Sequence, residues 1–358
     1  MAPPRATARQ AGLWAATLAL AAFGGFAAHR LGIPLAWMIG AMVAVAGAGL
    51  AGAAPAAPSV ARQAALIVLG TGFGQAFTPP VLEALAASLP ALVLAGFASV
   101  LSGVTVSRVT ARVGRLDTRT AFFLSVPGGI VAMVVLAARA GASVPAVTLG
   151  QTLRMVLVVL TYPVAMAAFG TSGQDVFSFT PPPVLWPMLP VLFALTVTGA
   201  FLMHRTGLAN PWMMGPVLVS LCLAVAGRPL SGLPGPLVDA AQVALGATLG
   251  ARLTREFLFR SRPLVVASVV NMLLLSLCAT GIALACVVLA RLPLQATLLG
   301  TAPGGMPEMA ITAKVMNLGV PLVLGFHLVR LLICNLFVLP LWRLYAWAER
   351  TLGRSGGE

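Results

Sequence analysis

The chain has 358 residues, of which 59% are hydrophobic and only 8% charged, and its formal net charge is +14. A soluble domain is about 45–50% apolar and about 25% charged, so this composition excludes a soluble enzyme, a disordered regulator and a nucleic-acid-binding domain. The long continuous apolar runs predict an all-α polytopic membrane protein, because a membrane β-barrel would show short alternating segments. Excess arginine is typical of loops that face the cytoplasm and anionic lipid.

In the first half, five continuous apolar runs and one interrupted run follow one another. The first run could belong to a signal peptide because Arg5 and Arg9 precede it, but its match to an internal run predicts a retained helix. The continuous runs cover 11–28, 33–53, 60–77, 88–106 and 144–170, and the interrupted run covers 120–138.

The second half shows the same order of runs. The continuous runs cover 184–203, 210–227, 236–251, 263–290 and 320–342, and the interrupted run covers 295–315. All four cysteines lie inside apolar runs of this half and form no CxxC pair. We therefore interpret them as small buried apolar residues.

The second half repeats the first at a nearly constant offset. Segments 29–40 and 204–215 share six of twelve residues at an offset of 175, and Pro127-Gly128-Gly129 matches Pro303-Gly304-Gly305 at an offset of 176. One offset across separated landmarks indicates a duplicated chain. We therefore predict membrane repeats at 1–172 and 184–358, joined by an external linker at 173–183.

Loop charge predicts that the two repeats are inverted. In the first half the basic loop, 108–119, follows the fourth run, whereas in the second half the basic loop, 252–262, follows the third run. If both loops are cytoplasmic, equivalent loops lie on opposite sides of the membrane. Each repeat then has five transmembrane helices and a re-entrant segment, and both termini are cytoplasmic.

Inverted repeats that are interrupted at matching positions are the sequence signature of secondary transporters. A break in a membrane helix frees backbone groups that lipid cannot satisfy, so breaks are tolerated where they face a polar cavity or protein. The alternative is a simple kink or packing site. The predicted solute-binding residues of the two breaks are Ser125, Pro127, Gly128 and Gly129, and Thr301, Pro303, Gly304 and Gly305.

Ionisable residues within the apolar runs are further candidates, because they are costly in a membrane. Arg154 and Arg330 are equivalent and lie at mid-membrane depth, so they are candidate substrate-binding residues, with a structural ion pair as the alternative. Together with Lys314 they outnumber Glu308, which favours a small organic anion as solute. Glu308 could carry a coupling proton. His327 could relay one, although a satisfied core histidine is the alternative.

The sequence shows no chemistry of an enzyme. Its three histidines are scattered at 29, 204 and 327 and do not form a transition-metal cluster with nearby carboxylates. No phosphate loop or Ser-His-Asp set is present. We therefore predict no catalytic residue, no metal and no cofactor. The expected partners are a small-molecule solute and the lipid bilayer. We expect no nucleic-acid partner, and the sequence leaves open whether the protein forms a homo-oligomer.

The two Pro-Gly-Gly segments, the Val-Pro…Arg segments after them and the repeated His-Arg…Trp-Met…Gly resemble the AbrB family of bacterial membrane proteins. The resemblance covers nearly the whole chain and implies a duplicated domain in the bacterial inner membrane. Members carry the labels ammonia monooxygenase and regulator of gene expression. The chain lacks metal ligands for the first and a soluble DNA-binding segment for the second.

We therefore expect a secondary transporter or exporter of a small anionic solute. A membrane-embedded sensor or regulator that binds a ligand without moving it is the alternative. An intramembrane monooxygenase is a remote third.

Overall fold

The computed structural model describes residues 8–168, 177, 180–207, 210–259 and 261–352. Within these ranges the regular secondary structure is helical, with a short 3₁₀ turn at Trp186–Met188. The helices of the first half are α1 Ala8–Arg30, α2 Ala36–Leu50, α3 Ser59–Gly74, α4 Pro79–Gly114, α5 Thr118–Ser125, α6 Ile130–Arg139 and α7 Val144–Ala168. Those of the second half are α8 Leu189–Arg205, α9 Pro211–Val225, α10 Gly235–Gly250, α11 Arg255–Phe259, α12 Arg262–Ala290, α13 Leu294–Thr301, α14 Met306–Val315 and α15 Val320–Leu352.

Six of the described helices are long and apolar enough to cross a membrane: α1, α4, α7, α8 with its 3₁₀ turn, α12 and α15. The prediction of an all-α polytopic membrane protein is therefore confirmed. Four further predicted crossings, α2, α3, α9 and α10, have only 15 or 16 residues. At 1.5 Å per residue they reach about 24 Å, short of the ~30 Å hydrocarbon core. Ten crossings and the inversion of the repeats stay predictions.

The backbone of the second half repeats local conformations of the first. All ten described residues with a positive φ form five pairs that are 175 or 176 positions apart. Leu35 and Asn210, which precede α2 and α9, have φ of 51° and 53°. The other pairs are Gly32 and Gly207, Gly52 and Gly227, Arg115 and Arg291, and Gly141 and Asn317. Such conformations are uncommon for residues other than glycine, so their recurrence at offsets of 175 and 176 supports the predicted duplication.

The described residues divide into two compact units. The helix-pair unit comprises Met1–Ala86, Val159–Arg260 and Pro307–Pro321. The broken-helix unit comprises Ala87–Val158, Ser261–Met306 and Leu322–Glu358. Each unit takes helices from both halves, so the compact units do not coincide with the predicted repeats at 1–172 and 184–358. The predicted linker at 173–183 lies mostly outside the described residues.

In the helix-pair unit, α1 packs on α2 and α8 packs on α9. Gly40 of α2 lies so close to Gly24 of α1 that a Cβ at either glycine would collide with the backbone of the other helix. Gly215 and Gly199 form the equivalent contact in the second half. Small residues let membrane helices approach this closely, which explains why these glycines occupy matching positions.

Inside the helix-pair unit, helices of one half also pack against helices of the other half. Gly70 of α3 lies against the carbonyl of Met213 in α9, and Gly246 of α10 lies against the carbonyl of Met38 in α2. The same reciprocal pattern links Gly74 to Val217 and Gly250 to Met42. Reciprocal contacts of this kind resemble those of a two-fold interface, as expected if the two halves are two copies of one repeat.

The broken-helix unit holds two interrupted helices, α5–α6 and α13–α14, although α14 beyond Met306 belongs to the helix-pair unit. Its core gathers residues of α4, α5, α6, α7 and α15. Phe122 and Phe123 of α5 pack against Trp342 of α15 with tilted rings, whose centroids lie 5.2 and 5.8 Å from that of Trp342. This aromatic packing fixes the end of α5 against α15, the helix that carries Arg330.

Candidate functional site: two broken helices and the arginines that hold them

Each break begins where a residue before proline leaves the helical conformation. Val126 has φ −63° and ψ 126°, and Ala302 has φ −48° and ψ 139°. Clash with the proline ring disfavours the helical conformation for the preceding residue, so α5 ends at Ser125 and α13 at Thr301. After four extended or turn residues, α6 and α14 begin at Ile130 and Met306. That both segments are re-entrant, turning back to the side of the membrane from which they enter, stays a prediction.

In the second break, Arg330 of α15 holds the extended backbone. Its Nη1 donates to the carbonyl of Ala302 at 2.6 Å, and its Nη2 donates to the carbonyl of Gly304 at 3.0 Å. The side chain is 7% exposed, so it does not reach out to lipid headgroups. A cation next to the carbonyl end of α13 also interacts favourably with the helix dipole.

His327 lies one turn before Arg330 and is held at both ring nitrogens. Its Nε2 is 3.1 Å from the carbonyl of Leu299, and its Nδ1 is 2.9 Å from Nη2 of Arg330. A carbonyl can only accept and a guanidinium can only donate. His327 is therefore neutral with its proton on Nε2, and it caps the end of α13 while it orients Arg330.

In the first break, Gln151 and Arg154 of α7 take the equivalent places. Nε2 of Gln151 donates to the carbonyls of Phe123, Leu124 and Val126 at 2.9–3.1 Å. Arg154 donates to the carbonyls of Val126 and Gly128, both at 3.4 Å. Arg154 is 2% exposed. The same two positions therefore hold both breaks, but the arginine contacts of the first break are longer than the usual 2.7–3.2 Å.

Three buried polar atoms around the first break have no hydrogen-bond partner. They are Oε1 of Gln151, Nε of Arg154 and Nδ2 of Asn271. Asn271 joins the break through two hydrogen bonds. The hydroxyl of Ser125 donates to Oγ1 of Thr110 at 3.2 Å, and that hydroxyl donates to Oδ1 of Asn271 at 3.2 Å.

The hydroxyl of Thr301, the equivalent of Ser125, is satisfied by backbone. It lies 3.1 Å from the carbonyl of Ala279 and 3.0 Å from that of Thr297. Pro127, Gly128, Pro303, Gly304 and Gly305 contribute backbone geometry. An added Cβ at Gly128 would lie 2.6 Å from Cε of Met133, so the Met133 side chain would have to move.

Glu308 lies in the first turn of α14, three residues after the second break, and is fully buried. Neither carboxylate oxygen has a hydrogen-bond partner. Lys314, six residues further, places its Nζ beside Gly72 of α3. Within the helix-pair unit, the charge of Arg252 attracts Glu308. Glu308 and Lys314 therefore do not hydrogen-bond to each other, and residues six apart do not share one face of a helix.

The broken-helix unit brings together both breaks, Arg154 and Arg330, and the two guanidinium groups lie close enough to repel each other electrostatically. Glu308 and Lys314 belong to the helix-pair unit.

Sequence reasoning missed Thr110 and Asn271. Asn271 is a polar residue inside an apolar helix, a signal that could have selected it, whereas Thr110 lies between Arg108 and Arg112 near the end of α4. Their connection to Ser125 depends on packing between separate helices. In the described part of the chain, no three His, Cys, Asp or Glu residues lie together as a metal site would require.

Comparisons with known proteins place the chain in a family. Residues 37–346 match the family model AbrB, described as "Transition state regulatory protein AbrB". The chain is 28% identical over 359 residues to "Uncharacterized protein YhjN" of Bacillus subtilis, covering 91% of each protein. It is 27% identical over 314 residues to "Putative regulator AbrB" of Escherichia coli, covering 86% of this chain and 88% of that protein. The family resemblance seen in the sequence is therefore confirmed, and the chain belongs to the AbrB family.

Proposed function

We propose that this protein is a secondary transporter of a small organic anion in the bacterial inner membrane, with both termini in the cytoplasm. The observation that carries the proposal is the pair of broken helices whose extended backbones are held by equivalent buried arginines. In transporters, broken membrane helices supply backbone groups and helix ends for a solute at mid-membrane depth. A break that served only as a kink would not need a buried guanidinium in both halves.

The charge of the broken-helix unit supports an anion as the solute. Arg154 and Arg330 repel each other, and a buried cation is costly unless a negative group or several acceptors stabilise it. An anion that binds near Arg154 adds the charge-assisted hydrogen bonds that its 3.4 Å contacts to carbonyls supply only weakly.

Glu308 supports coupling to a proton or another cation. A buried carboxylate without a hydrogen-bond donor costs free energy, and a bound proton offsets that cost. The equivalent residue of the first half is Ala132. The proposed ion-binding carboxylate, Glu308, therefore occurs in one half only. This suits a carrier in which the solute and the ion bind to different residues.

Uptake into proteoliposomes tests the proposal. Purified protein is reconstituted, and the uptake of radiolabelled acetate, pyruvate, lactate, malate and citrate is compared with that into protein-free liposomes. We expect saturable uptake of at least one of these anions, and slower uptake by Arg154→Gln. The matched control is Arg139→Gln, which removes an exposed arginine at the end of α6. Uptake equal to that of empty liposomes for all five anions contradicts a carrier of small carboxylates.

The name of the Escherichia coli relative, "Putative regulator AbrB", favours a membrane-embedded sensor as the second candidate. A sensor binds its ligand but does not move it. An anion that raises the melting temperature of the purified protein, yet never crosses the proteoliposome membrane, would support the sensor over the carrier.

A further inference from the structure

The two breaks are equivalent in sequence but unequal in hydrogen bonding. At the second break, both ring nitrogens of His327 and both Nη atoms of Arg330 are engaged. None of the described buried atoms without a partner belongs to Thr301, His327 or Arg330. At the first break, Gln151 and Arg154 each leave one buried atom without a partner.

The unsatisfied groups of the first break lie around two consecutive residues. Gln151 and Arg154 share the carbonyl of Val126 as an acceptor. Ser125, the residue before it, is linked to Asn271 through Thr110 by two hydrogen bonds of 3.2 Å. An unsatisfied buried polar group costs free energy, and a ligand that supplied partners to these three groups, which are linked to one backbone turn, would recover that cost.

The chemistry of the three atoms defines the ligand. Nε of Arg154 and Nδ2 of Asn271 can only donate, whereas Oε1 of Gln151 can only accept. Two donors, one of them cationic, suit a carboxylate. One acceptor nearby suits a hydroxyl that donates. We propose that the first break, and not the second, binds the solute, and that Gln151, Arg154 and Asn271 select a small hydroxycarboxylate.

This inference rests on the proposed function and narrows it to one break and one class of anion. It also assigns different tasks to the two halves. The first break has buried donors and an acceptor that are available to the solute. At the second break, the equivalent side chains bond to the backbone and to each other. The proximity of Arg330 adds positive potential to the first break.

Asn271→Leu tests the inference, because the substitution separates binding from stability. Leu has nearly the same shape as Asn, and the hydroxyl of Thr110 keeps an acceptor in the carbonyl of Val106 at 3.1 Å. The variant therefore creates no new unsatisfied group and removes an existing one. We expect the melting temperature of the ligand-free protein to rise, and the affinity for lactate to fall about tenfold or more.

The probes are lactate and propionate, which differ only by the hydroxyl, titrated calorimetrically into the purified full-length protein. We expect the wild-type protein to bind lactate about tenfold tighter than propionate. The matched control is Ser276→Ala, which also removes a buried hydroxyl without a partner from α12 and should leave lactate affinity unchanged.

Three results would overturn the inference. They are wild-type affinity for lactate in Asn271→Leu, equal binding of lactate and propionate by the wild-type protein, and binding of neither. A lower melting temperature with unchanged affinity would show Asn271 to be structural and would also overturn it. The proposed function fails separately, when the wild-type protein moves none of the carboxylates into proteoliposomes.

Discussion

At the scale of single residues, the arginines divide between support and binding. Arg330 donates to two carbonyls at 2.6 and 3.0 Å, whereas Arg154 donates to its two carbonyls at 3.4 Å. Hydrogen bonds weaken as they lengthen beyond about 3.2 Å. The contribution to stability should therefore be larger for Arg330, even though the two residues occupy equivalent positions.

Arg330→Gln should destabilise the protein more than Arg154→Gln does. Removing Arg330 leaves two buried carbonyls of the second break without this donor, and each lost donor costs about 1–3 kcal/mol of stability. Thermal unfolding in detergent measures the difference, with Arg139→Gln, an exposed arginine, as the control. An equal or smaller loss for Arg330→Gln would contradict the assignment of Arg330 to support.

His327→Gln should preserve the pH midpoint of uptake even where it slows the rate. The first half already uses Gln151 at this position to cap the carbonyl end of α5, so glutamine can take the capping role. Because both ring nitrogens of His327 are engaged, the proposed coupling proton is assigned to Glu308 instead. A pH midpoint that moves in His327→Gln, measured as the initial rate of lactate uptake, would restore histidine as a relay.

These side-chain roles were only partly predictable from the sequence. The spacing of Arg154 and Arg330 from the Val-Pro starts predicts burial, and both are buried. Their partners could not be predicted, because a guanidinium can meet a carboxylate, a solute or a carbonyl cluster, and only the fold brings the helix break within reach. Asn271 carries no motif at all, since its role depends on a contact across 161 residues of chain.

At the scale of helices, close packing at glycine builds the helix-pair unit. Gly24 and Gly40 pair α1 with α2, and Gly199 and Gly215 pair α8 with α9. The GxxxG spacing of Gly70 and Gly74 predicts such packing, and both residues lie against backbone carbonyls of α9. The partner helix could not be predicted, because the spacing marks a surface and does not name what covers it.

Gly40→Val should destabilise the helix-pair unit by about 1–3 kcal/mol or more, because overpacking forces the helix backbones apart. Gly47→Val is the matched control, since it lies on the same helix and an added Cβ meets nothing within 4 Å. Detergent-solubilised yield and melting temperature measure the effect. If the two variants were equally stable, the contact between α1 and α2 would not be as close as described.

At the scale of the whole molecule, the predicted duplication accounts for the matching bounds of several helices. The bounds of α3, α5 and α6 recur in α10, α13 and α14 at an offset of 176. The sequence predicts both broken runs within a few residues, because proline and glycine act locally. It does not predict the two compact units, since each combines helices from both halves and that exchange depends on long-range packing.

Cysteine labelling tests the predicted inversion of the halves in the membrane. The interpretation of all four cysteines as buried is wrong for Cys222, which is exposed, so the experiment uses a variant in which all four are replaced by serine. New cysteines at positions 115 and 255 should react only from the cytoplasmic side, and one at position 180 only from outside. All three positions are exposed in the structure. Labelling of position 255 from outside would contradict the inverted arrangement.

We propose that the protein carries a small anion across the membrane together with a proton. Concentrative uptake is the decisive measurement: proteoliposomes receive labelled lactate outside and an inward proton gradient. We expect the wild-type protein to accumulate lactate above its external concentration, and Glu308→Gln to exchange lactate without accumulating it. Lactate that never enters, although the protein binds it, would show that the protein is not a carrier.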